Sequence, residues 1–468
     1  MCLKILAIAI VLMLVITPFG LASNINQLST EQELDLHVEG ALKWLIDKAI
    51  PAENGFKWPH LENDDHYYTS LYEGTPGICL LFLKAYEITG NETYLNYAEG
   101  GMRWLMSLAV EEKEGYKWPH VENSFLRWTY WTGLYEGTAG IGSIFLDFYK
   151  VLDNDTYLEY AEGAARWLIN IGKIGHLSSF GTTCRWPHIQ WFFPIPQIDV
   201  ISGSAGIGLF LLKIYEVTEN EIYLKYAKFA GNSLMKNAKH IDDCYTWDNY
   251  IGIFRSFISS GFSHGTSGVG YFFAELYKIS KETKYLEYAE GAARWIIKDS
   301  VNDSQSGGVK WREVYRTDRP DDAKLFDTGW CYGPPGICDL FIDLYKITNN
   351  PEYLKYSELA AKWLMHIAIP EGEGYKWPRH LTENGDGQSA DVTICHGAAG
   401  IGESFLDMYN LTKEPIYLEY ANGAAEWLKQ VAIKDNDGGY KWDTYGECHT
   451  GYSIGTSGIA LFLIELGE

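Results

Sequence analysis

Two kinds of hydrophobic pattern alternate along the chain. The first is a nearly continuous apolar run, such as I-C-L-L-F-L-K-A-Y after Gly77, which predicts a helix buried on all sides. The second, such as Y-L-E-Y-A-E-G-A-A-R-W-L at Tyr157–Leu168, has apolar residues at helical spacing and charged residues on the remaining face. Turn and helix-capping residues, such as D-N-D-T, separate the two runs. Each pair of runs therefore predicts one helical hairpin.

This hairpin recurs behind a G-x-x-G motif that stands just before each apolar run. Neighbouring motifs start 58 to 68 residues apart, and such near-constant spacing indicates a repeat architecture. The motifs begin at Gly74, Gly137, Gly203, Gly265, Gly333, Gly397 and Gly455. The last copy lacks its amphipathic run, and a run of that kind is found instead at His37–Leu45. We therefore predict an all-α fold for residues 24–468, an α/α toroid of seven helical hairpins closed by pairing of the N-terminal and C-terminal helices.

The first 23 residues have a different pattern. Lys4 precedes the apolar run Ile5–Ile16, and Gly-Leu-Ala-Ser follows at 20–23. This order is typical of a secretory signal peptide, and extending the run through Leu21 also allows an N-terminal membrane anchor. We therefore expect a secreted or membrane-anchored extracytoplasmic protein, attached to the membrane through residues 1–23 if that segment is not cleaved.

Composition excludes one class of partner. The chain has 61 Asp and Glu against 38 Lys and Arg, a formal net charge of -23 that no basic cluster interrupts. Such a chain repels polyanions, so we expect no nucleic-acid partner. The eight cysteines are spread through the whole chain and do not resemble a disulfide framework. Cys79 and Cys338 occupy equivalent apolar positions, which favours a packing role.

The connections between copies carry one tryptophan each. Three of these connections read W-P-H and a fourth reads W-P-R-H, so one face of the ring gathers aromatic and imidazole side chains. Repetition favours a structural role in which the tryptophans wedge the loops onto the helix ends; the alternative is a substrate platform. The seven tryptophans are Trp58, Trp118, Trp186, Trp247, Trp311, Trp377 and Trp442.

The two positions before each G-x-x-G motif break the repeat. The first two copies have Tyr-Glu there, whereas the adjacent fifth and sixth copies have Cys331 and the pair Cys395-His396. Axes of packed helices lie ~8–10 Å apart, a gap that two converging side chains can cover. Two thiolates and an imidazole are preferred zinc ligands, and three protein ligands leave a fourth position open. The sequence therefore predicts a Zn²⁺ site; the alternative is that the cysteines pack as small hydrophobes.

Two further titratable residues lie near neighbouring motifs. His264 directly precedes the fourth motif, and Asp199 lies four residues before the third. We predict that both are catalytic. The alternatives are a capping or hydrogen-bonded core role for His264 and stabilisation of a helix start by Asp199. The pair Cys448-His449 lies in a polar loop well before the last motif, and we leave it out of the site.

Four of these motifs resemble, in order, those of the lanthionine synthetase C-like (lanthipeptide cyclase) family. They are D-V-I-S-G-S-A-G at Asp199–Gly206, S-H-G-T-S-G at Ser263–Gly268, W-C-Y-G-P-P-G at Trp330–Gly336 and C-H-G-A-A-G at Cys395–Gly400. The resemblance covers the whole predicted ring and implies a seven-hairpin α/α toroid. It also implies zinc on Cys331, Cys395 and His396, with acid–base residues at His264 and Asp199.

Two departures from the family matter. Its cyclases carry an arginine four residues before the first zinc ligand, where this chain has Asp327. They also act in the cytosol, whereas this chain begins with a signal-like segment. The resemblance therefore supports the zinc site more strongly than it supports peptide cyclisation.

The leading functional hypothesis is a zinc enzyme that adds a thiol to a dehydroamino acid and forms a thioether. Its partner would be a peptide substrate or a small thiol, and we expect a monomer. One alternative is an exported glycoside hydrolase or lyase, for which Glu62, Glu122 and Glu383 supply carboxylates but no pair stands out. The other is a zinc-stabilised peptide-binding scaffold without turnover.

Overall fold

The structure confirms an all-α ring with short strands in its connections. The computed structural model describes residues 33–122, 128–177, 179–190, 197–251, 255–316, 325–387 and 389–468. The predicted signal peptide or anchor at 1–23 lies outside these residues. The helices are α1 Leu36–Lys48, α2 Thr75–Thr89, α3 Glu92–Leu108, α4 Thr138–Leu152, α5 Asp155–Ile171, α6 Ser204–Thr218, α7 Glu221–Asn237, α8 Thr266–Ser280, α9 Thr283–Asp299, α10 Pro334–Thr348, α11 Pro351–Ile367, α12 Ala398–Thr412, α13 Pro415–Val431 and α14 Thr456–Gly467.

Even-numbered helices form the inner ring and odd-numbered helices the outer ring. Each inner helix from α2 to α12 packs against the outer helix that follows it, and inner helices pack on their neighbours around the ring. The inner helices are buried over most of their length because their sequences are apolar on every face. Among the described helices, none is long and apolar enough to cross a membrane.

The hairpin turns use the predicted capping chemistry. Each inner helix from α2 to α12 ends in a left-handed residue, for example Gly90 with φ 65° and Asn349 with φ 56°. The next outer helix often begins with an asparagine whose side chain accepts from a backbone amide two residues on, as Asn91 does from Thr93 N at 2.9 Å. These caps satisfy backbone groups at both ends of the turn and fix the reversal of the chain.

The two ends of the chain close the ring as predicted. Helix α1 packs on α14, so the amphipathic helix near the N-terminus completes the seventh hairpin. Backbone hydrogen bonds also join residues two positions before the motifs of neighbouring copies. Ser453 N donates to Tyr72 O at 3.0 Å across the closure, and Tyr72 N donates to Tyr135 O at 2.9 Å within the ring. The inner face is therefore continuous where the first and last copies meet.

The second glycine of each motif permits a close backbone approach. A Cβ at Gly140, for example, would lie 1.9 Å from the carbonyl oxygen of Leu134. Any side chain there would separate the helix start from the loop that precedes it. The G-x-x-G spacing thus holds the residues before each motif against the inner helix.

Short antiparallel strands occupy the loops between copies. Most pair as two-stranded ladders, such as Ile50↔Lys57, and one sheet has three strands in the order β13-β10-β9. The described strands are β1 Ile50–Ala52, β2 Gly55–Lys57, β3 Val110–Glu112, β4 Gly115–Lys117, β5 Lys173–Leu177, β6 Gly181–Arg185, β7 Lys239–Ile241, β8 Cys244–Thr246, β9 Asn249–Ile251, β10 Arg255–Ile258, β11 Val301–Asn302, β12 Val309–Lys310, β13 Tyr315–Arg316, β14 Leu325–Asp327, β15 Ile369–Glu371, β16 Gly374–Lys376, β17 His380–Thr382, β18 Ile433–Lys434, β19 Tyr440–Lys441, β20 Asp443–Thr444 and β21 Glu447–Cys448.

The repeated tryptophans are wedges, not a substrate platform. All seven are buried, and each indole N–H donates to a backbone carbonyl near the end of the preceding outer helix. Trp118 Nε1, for instance, lies 2.8 Å from Leu105 O. The indole thereby satisfies a helix-terminal carbonyl and anchors the loop on the helix end.

Candidate functional site

A cavity of 540 Å³ opens on the face that carries the glycine motifs. Its lining is organised by the residue immediately before each motif. Five of these seven residues line the cavity, and they are Glu73, Glu136, His264, Tyr332 and His396. Because each copy holds this position in the same way against its inner helix, the side chains converge on the ring axis. Of the residues that depart from the repeat, His264, Cys331 and His396 therefore line one cavity, whereas Asp199 and Cys395 lie behind its lining.

The three predicted zinc ligands lie together. The ligand atoms of Cys331, Cys395 and His396 all lie within 4.8 Å of one another. Backbone pairing sets this arrangement, because Cys331 N donates to Cys395 O at 3.0 Å and joins the fifth and sixth copies. Burial lowers the pKa of His396, and its Nδ1 is buried with no hydrogen-bond partner among the described residues.

Cys331 and Cys395 are joined by a disulfide bond. The sequence analysis expects two thiols here. The bond occupies both sulfur atoms, so a metal ion can be bound only when the pair is reduced. In the reduced state, two thiolates and a neutral imidazole with a free Nδ1 are a donor set that suits zinc. The chemistry of these residues therefore fits the predicted metal.

His264 and Asp199 form a direct hydrogen bond. His264 Nδ1 lies 2.8 Å from Asp199 Oδ2, and the Asp199 side chain is 2% exposed against 32% for His264. Asp199 also accepts from Asn249 Nδ2 at 2.6 Å and from Ser202 N at 2.8 Å. A buried carboxylate thus fixes an imidazole whose other edge faces the cavity.

The two side chains shift each other's pKa. Burial by itself would lower the pKa of His264, but the carboxylate of Asp199 outweighs burial and raises it. Burial by itself would raise the pKa of Asp199, but the imidazole and the two further donors lower it. The pair is therefore stabilised as imidazolium and carboxylate, a state in which His264 can donate a proton.

Two acidic residues from the first two copies also line the cavity. Glu136 Oε2 accepts from His188 Nε2 at 3.1 Å and from Ser202 Oγ at 2.5 Å. These partners lower the pKa of Glu136 against the opposing effect of burial. Burial and the nearby charge of Glu136 raise the pKa of Glu73 to about 7. The two carboxyl groups therefore differ in proton affinity although they occupy the same repeat position.

A cation reaches the cavity from an unexpected position. Asp327, which stands where the family has an arginine, is 1% exposed and accepts from Gly329 N at 2.7 Å. Its Oδ2 also lies 3.1 Å from His380 Nε2, so it stabilises the loop. Arg379, from the W-P-R-H connection, lines the cavity instead. Its guanidinium donates to Tyr445 Oη, and its Nε is buried with no hydrogen-bond partner in the part of the chain that the structure describes.

Three cavity residues were not predicted from the sequence, and they are Glu73, Glu136 and Arg379. The shared Tyr-Glu of the first two copies reads as structural repetition, and Arg379 reads as a variation in a loop motif. The signal for Glu73 was its position, because it directly precedes a motif as His264 and His396 do. Neither Cys448 nor His449 is among the described residues that line the cavity. The His449 ring packs instead against His60, with centroids 4.7 Å apart.

Comparison with known proteins agrees with the fold. The profile of the family described as lanthionine synthetase C-like protein matches residues 20–182 and 187–468. Nisin biosynthesis protein NisC of Lactococcus lactis subsp. lactis is 22% identical over 446 residues, covering 90% of this chain and 91% of that protein. Glutathione S-transferase LANCL1 of Danio rerio is 27% identical over 167 residues, and the match spans only 34% of that protein and 36% of this chain. The solved structure of nisin cyclase superposes with a TM-score of 0.59 at 17% identity, over 92% of this chain and 93% of that one.

Proposed function

Because this chain belongs to the lanthionine synthetase C-like family, we propose that it adds a thiol to a dehydroamino acid and forms a thioether with the help of zinc. Cys331, Cys395 and His396 would hold the ion once the cysteines are reduced. The observation that carries the proposal is the buried, unpartnered Nδ1 of His396 beside two cysteine sulfur atoms. The similarity to NisC and to the nisin cyclase structure over about nine-tenths of the chain supports a cyclase-type reaction on a peptide.

The metal and the protein would have separate tasks. Zinc, when bound, lowers the pKa of a substrate thiol, which otherwise is ~8.5, so that the thiol reacts as a thiolate at neutral pH. The thiolate sulfur forms a bond to the β-carbon of dehydroalanine or dehydrobutyrine. The π electrons of the carbon–carbon double bond then move toward the α-carbon and the adjoining carbonyl. A proton must reach the α-carbon to complete the addition.

In this proposal His264 supplies that proton. Its imidazolium form is favoured by Asp199, and its exposed edge faces the cavity that also contains Cys331 and His396. After donating to the α-carbon, the neutral imidazole regains a proton from the thiol by way of solvent, so the reaction is balanced without a further reagent. Asp199 is a positioning residue that fixes the ring and its tautomer.

Arg379 would stabilise the negative charge that develops on the carbonyl oxygen. Within the described lining it is the permanently charged cation, and its unpartnered Nε supplies a hydrogen-bond donor. A fixed donor aimed at developing charge costs no reorganisation during the reaction. In this proposal Arg379 supplies a cation from the loop, whereas the family's cyclases carry an arginine at the position of Asp327.

Metal content and thiol loss together test the proposal. The reduced protein is expected to bind about one zinc per chain, and both Cys331→Ala and Cys395→Ala to lose it. With the zinc-loaded protein, a dehydrated peptide that contains one cysteine should lose its free thiol. Thiol alkylation followed by mass spectrometry measures this loss. A folded wild type that binds no zinc after reduction, or zinc-loaded protein that leaves the thiol unreacted, would contradict the proposal.

One observation favours a second candidate function, the carbohydrate enzyme. Glu73 and Glu136 line one cavity and have pKa values shifted in opposite directions, which is the pattern of a general acid and its partner carboxylate. This reading leaves the cysteine–histidine cluster without a role, so we rank it second. Glycan cleavage that persists in metal-free protein and is abolished in Glu73→Gln would support it.

A further inference from the structure

The two acidic residues lie across the ring from the fifth copy, which supplies Cys331. In a ring of seven equal units, the point opposite unit five falls between units one and two. Glu73 belongs to the first copy and Glu136 to the second. Both side chains are partly exposed, at 28% and 29%, and both line the cavity that Cys331 also lines. A substrate whose sulfur lies near the cysteines would therefore extend toward these carboxylates.

The charge of this wall is only partly compensated. His188 and Ser202 hydrogen-bond to Glu136. The basic side chain beside Glu73 is His60, whose Nδ1 lies 4.0 Å from Glu73 Oε2, beyond hydrogen-bond range. Burial, with His449 nearby, lowers the pKa of His60 to about 4, so its ring is neutral near pH 7. A carboxylate at Glu73 therefore lacks a full countercharge among the described residues around it.

The neighbouring aromatic rings suit a cation. Tyr68, Tyr72 and Trp131 line the same cavity as the two carboxyl groups. The His120 ring stacks on Trp131 with centroids 4.1 Å apart, and burial lowers the pKa of His120 to about 4. The imidazole is thus a neutral ring that does not compete for the carboxylates. Aromatic faces beside carboxylates are a common setting for ammonium and guanidinium groups.

We propose that Glu73 and Glu136 form a subsite for a positively charged group of the substrate, an ammonium or a guanidinium. The inference rests on the proposed function, because it takes the thiol end of the substrate to lie at Cys331, Cys395 and His396. The substrate class is then a thiol that carries a cationic group. A lysine or arginine side chain of a peptide and the amine of a small aminothiol offer the same chemistry.

Three thiols of similar size and different charge test the subsite. Binding of cysteamine, 2-mercaptoethanol and 3-mercaptopropionate to the zinc-loaded protein is measured by calorimetry at pH 8, where Glu73 is ionised. We expect cysteamine to bind about tenfold more tightly than 2-mercaptoethanol, and 3-mercaptopropionate more weakly than either. In Glu73→Gln and Glu136→Gln the ratio of the affinity for cysteamine to that for 2-mercaptoethanol should fall toward one. Glu111→Gln, which removes an exposed charge outside the cavity lining, should keep the preference.

A metal-free measurement separates failure of the subsite from failure of the proposed function. The metal-free protein is titrated with 1,4-diaminobutane and with 1,4-butanediol. Glu73-dependent binding of the diamine supports the subsite even if the zinc chemistry is absent. If the three thiols bind the zinc-loaded protein with equal affinity, the subsite proposal is wrong and the proposed function still holds. Diamine that binds no better than the diol overturns the subsite as well.

Paired peptides identify the source of the cation. Two dehydrated peptides that differ only by Lys or Gln beside the cysteine are compared with cysteamine and 2-mercaptoethanol as thiol donors. The pair in which the cationic member reacts faster by the larger factor, and in which Glu73→Gln removes that factor, identifies the class of natural substrate. Equal rates for both pairs in the wild type, with no change in Glu73→Gln, would contradict the subsite for either source.

Discussion

The Tyr72 hydroxyl donates a hydrogen bond to Cys395 Sγ over 3.2 Å, although 323 positions separate the two residues in the chain. Closure of the ring creates this contact, because the first copy lies next to the seventh and close to the sixth. If Cys395 binds zinc as proposed, this donor is an outer-sphere partner of the proposed metal site. Such partners orient the ligand and change how strongly it binds the metal.

We predict that Tyr72→Phe weakens zinc binding by about tenfold, because second-sphere partners commonly contribute 10–100-fold to metal affinity. The sulfur-to-metal charge-transfer band of the cobalt-substituted protein should shift at the same time. Zinc competition with a chromophoric chelator and the cobalt spectrum measure the two effects.

Tyr135→Phe is the matched control for Tyr72→Phe. Tyr135 occupies the same position in the second copy, but its ring packs against Trp330 with centroids 5.6 Å apart. We expect removal of the Tyr135 hydroxyl to leave the zinc affinity and the cobalt spectrum unchanged. Equal effects of the two substitutions on affinity and spectrum would show that the contact to Cys395 has no role.

The His264–Asp199 pair predicts the pH dependence of thioether formation. In the proposed mechanism the protonated imidazole is the acid. Because Asp199 raises the pKa of His264, the rate should fall as pH rises through that raised value. Asp199→Asn removes the carboxylate, and the falling limb should move to lower pH by about one unit or more. The pH profile of kcat in both proteins measures the shift. If the falling limb of the pH profile of kcat lies at the same pH in Asp199→Asn as in the wild type, another group is the acid.

Arg379 is predicted to act on the transition state more than on substrate binding. Loss of one preorganised donor typically lowers kcat about 10²–10³-fold, so we expect Arg379→Met to reduce kcat on that order with little change in KM. Arg379→Lys keeps the charge and should recover part of the rate. Arg312→Met is the control, because that guanidinium pairs with Glu383 on the same face and does not line the cavity. A large KM effect with unchanged kcat would assign Arg379 to binding.

The repeat and the clustering of Cys331, Cys395 and His396 could be predicted from the sequence for physical reasons. A second glycine at fixed spacing and apolar runs of helical length are local requirements, so each copy states them again. Cys331, Cys395 and His396 were visible because they differ from the Tyr-Glu that the first two copies have at these positions. Closure by α1 and α14 followed from the incomplete last copy.

Tyr72, Glu73 and Arg379 were not predictable in the same way. The contact of Tyr72 with Cys395 depends on how tightly the ring closes, which no local pattern records. Glu73 shares its residue type with Glu136, and its different pKa arises only from burial and from the partners that each carboxyl finds. Arg379 reaches the cavity from an irregular connection whose path is set by tertiary pairing. The bond between Cys331 and Cys395 likewise depends on two residues 64 positions apart.

The wedge role of the repeated tryptophans predicts a loss of stability. Trp118→Phe removes the donor to Leu105 O and leaves a cavity in a fully buried site. An unsatisfied buried carbonyl and lost packing together should lower the free energy of unfolding by about 2–4 kcal/mol. Trp128, which is 66% exposed, provides the control, and Trp128→Phe should change stability by less than about 0.5 kcal/mol. Urea unfolding of both variants makes the comparison, and similar midpoints would contradict the wedge role.

A buried carboxyl on the inner ring predicts how stability depends on pH. Burial raises the pKa of Asp407 on α12 to about 6, although Lys346 acts to lower it. Between the unfolded value near 3.9 and the folded value, the folded protein binds more protons at this site than the unfolded chain does. The contribution of Asp407 to stability therefore falls as pH rises through this window and stays low above it.

Asp407→Asn removes the titration and keeps the size of the side chain. The variant should match the wild type near pH 4 and exceed it at pH 8 by about 1–2 kcal/mol, because the two-unit shift is reduced by partial solvent access. Melting temperature measured from pH 4 to pH 8 follows the difference. Asp437→Asn, on an exposed loop, should leave the wild-type pH dependence unchanged. If Asp407→Asn is instead less stable than the wild type at pH 8, the ionised carboxylate is stabilised by partners inside the ring. Burial then does not raise the pKa of Asp407.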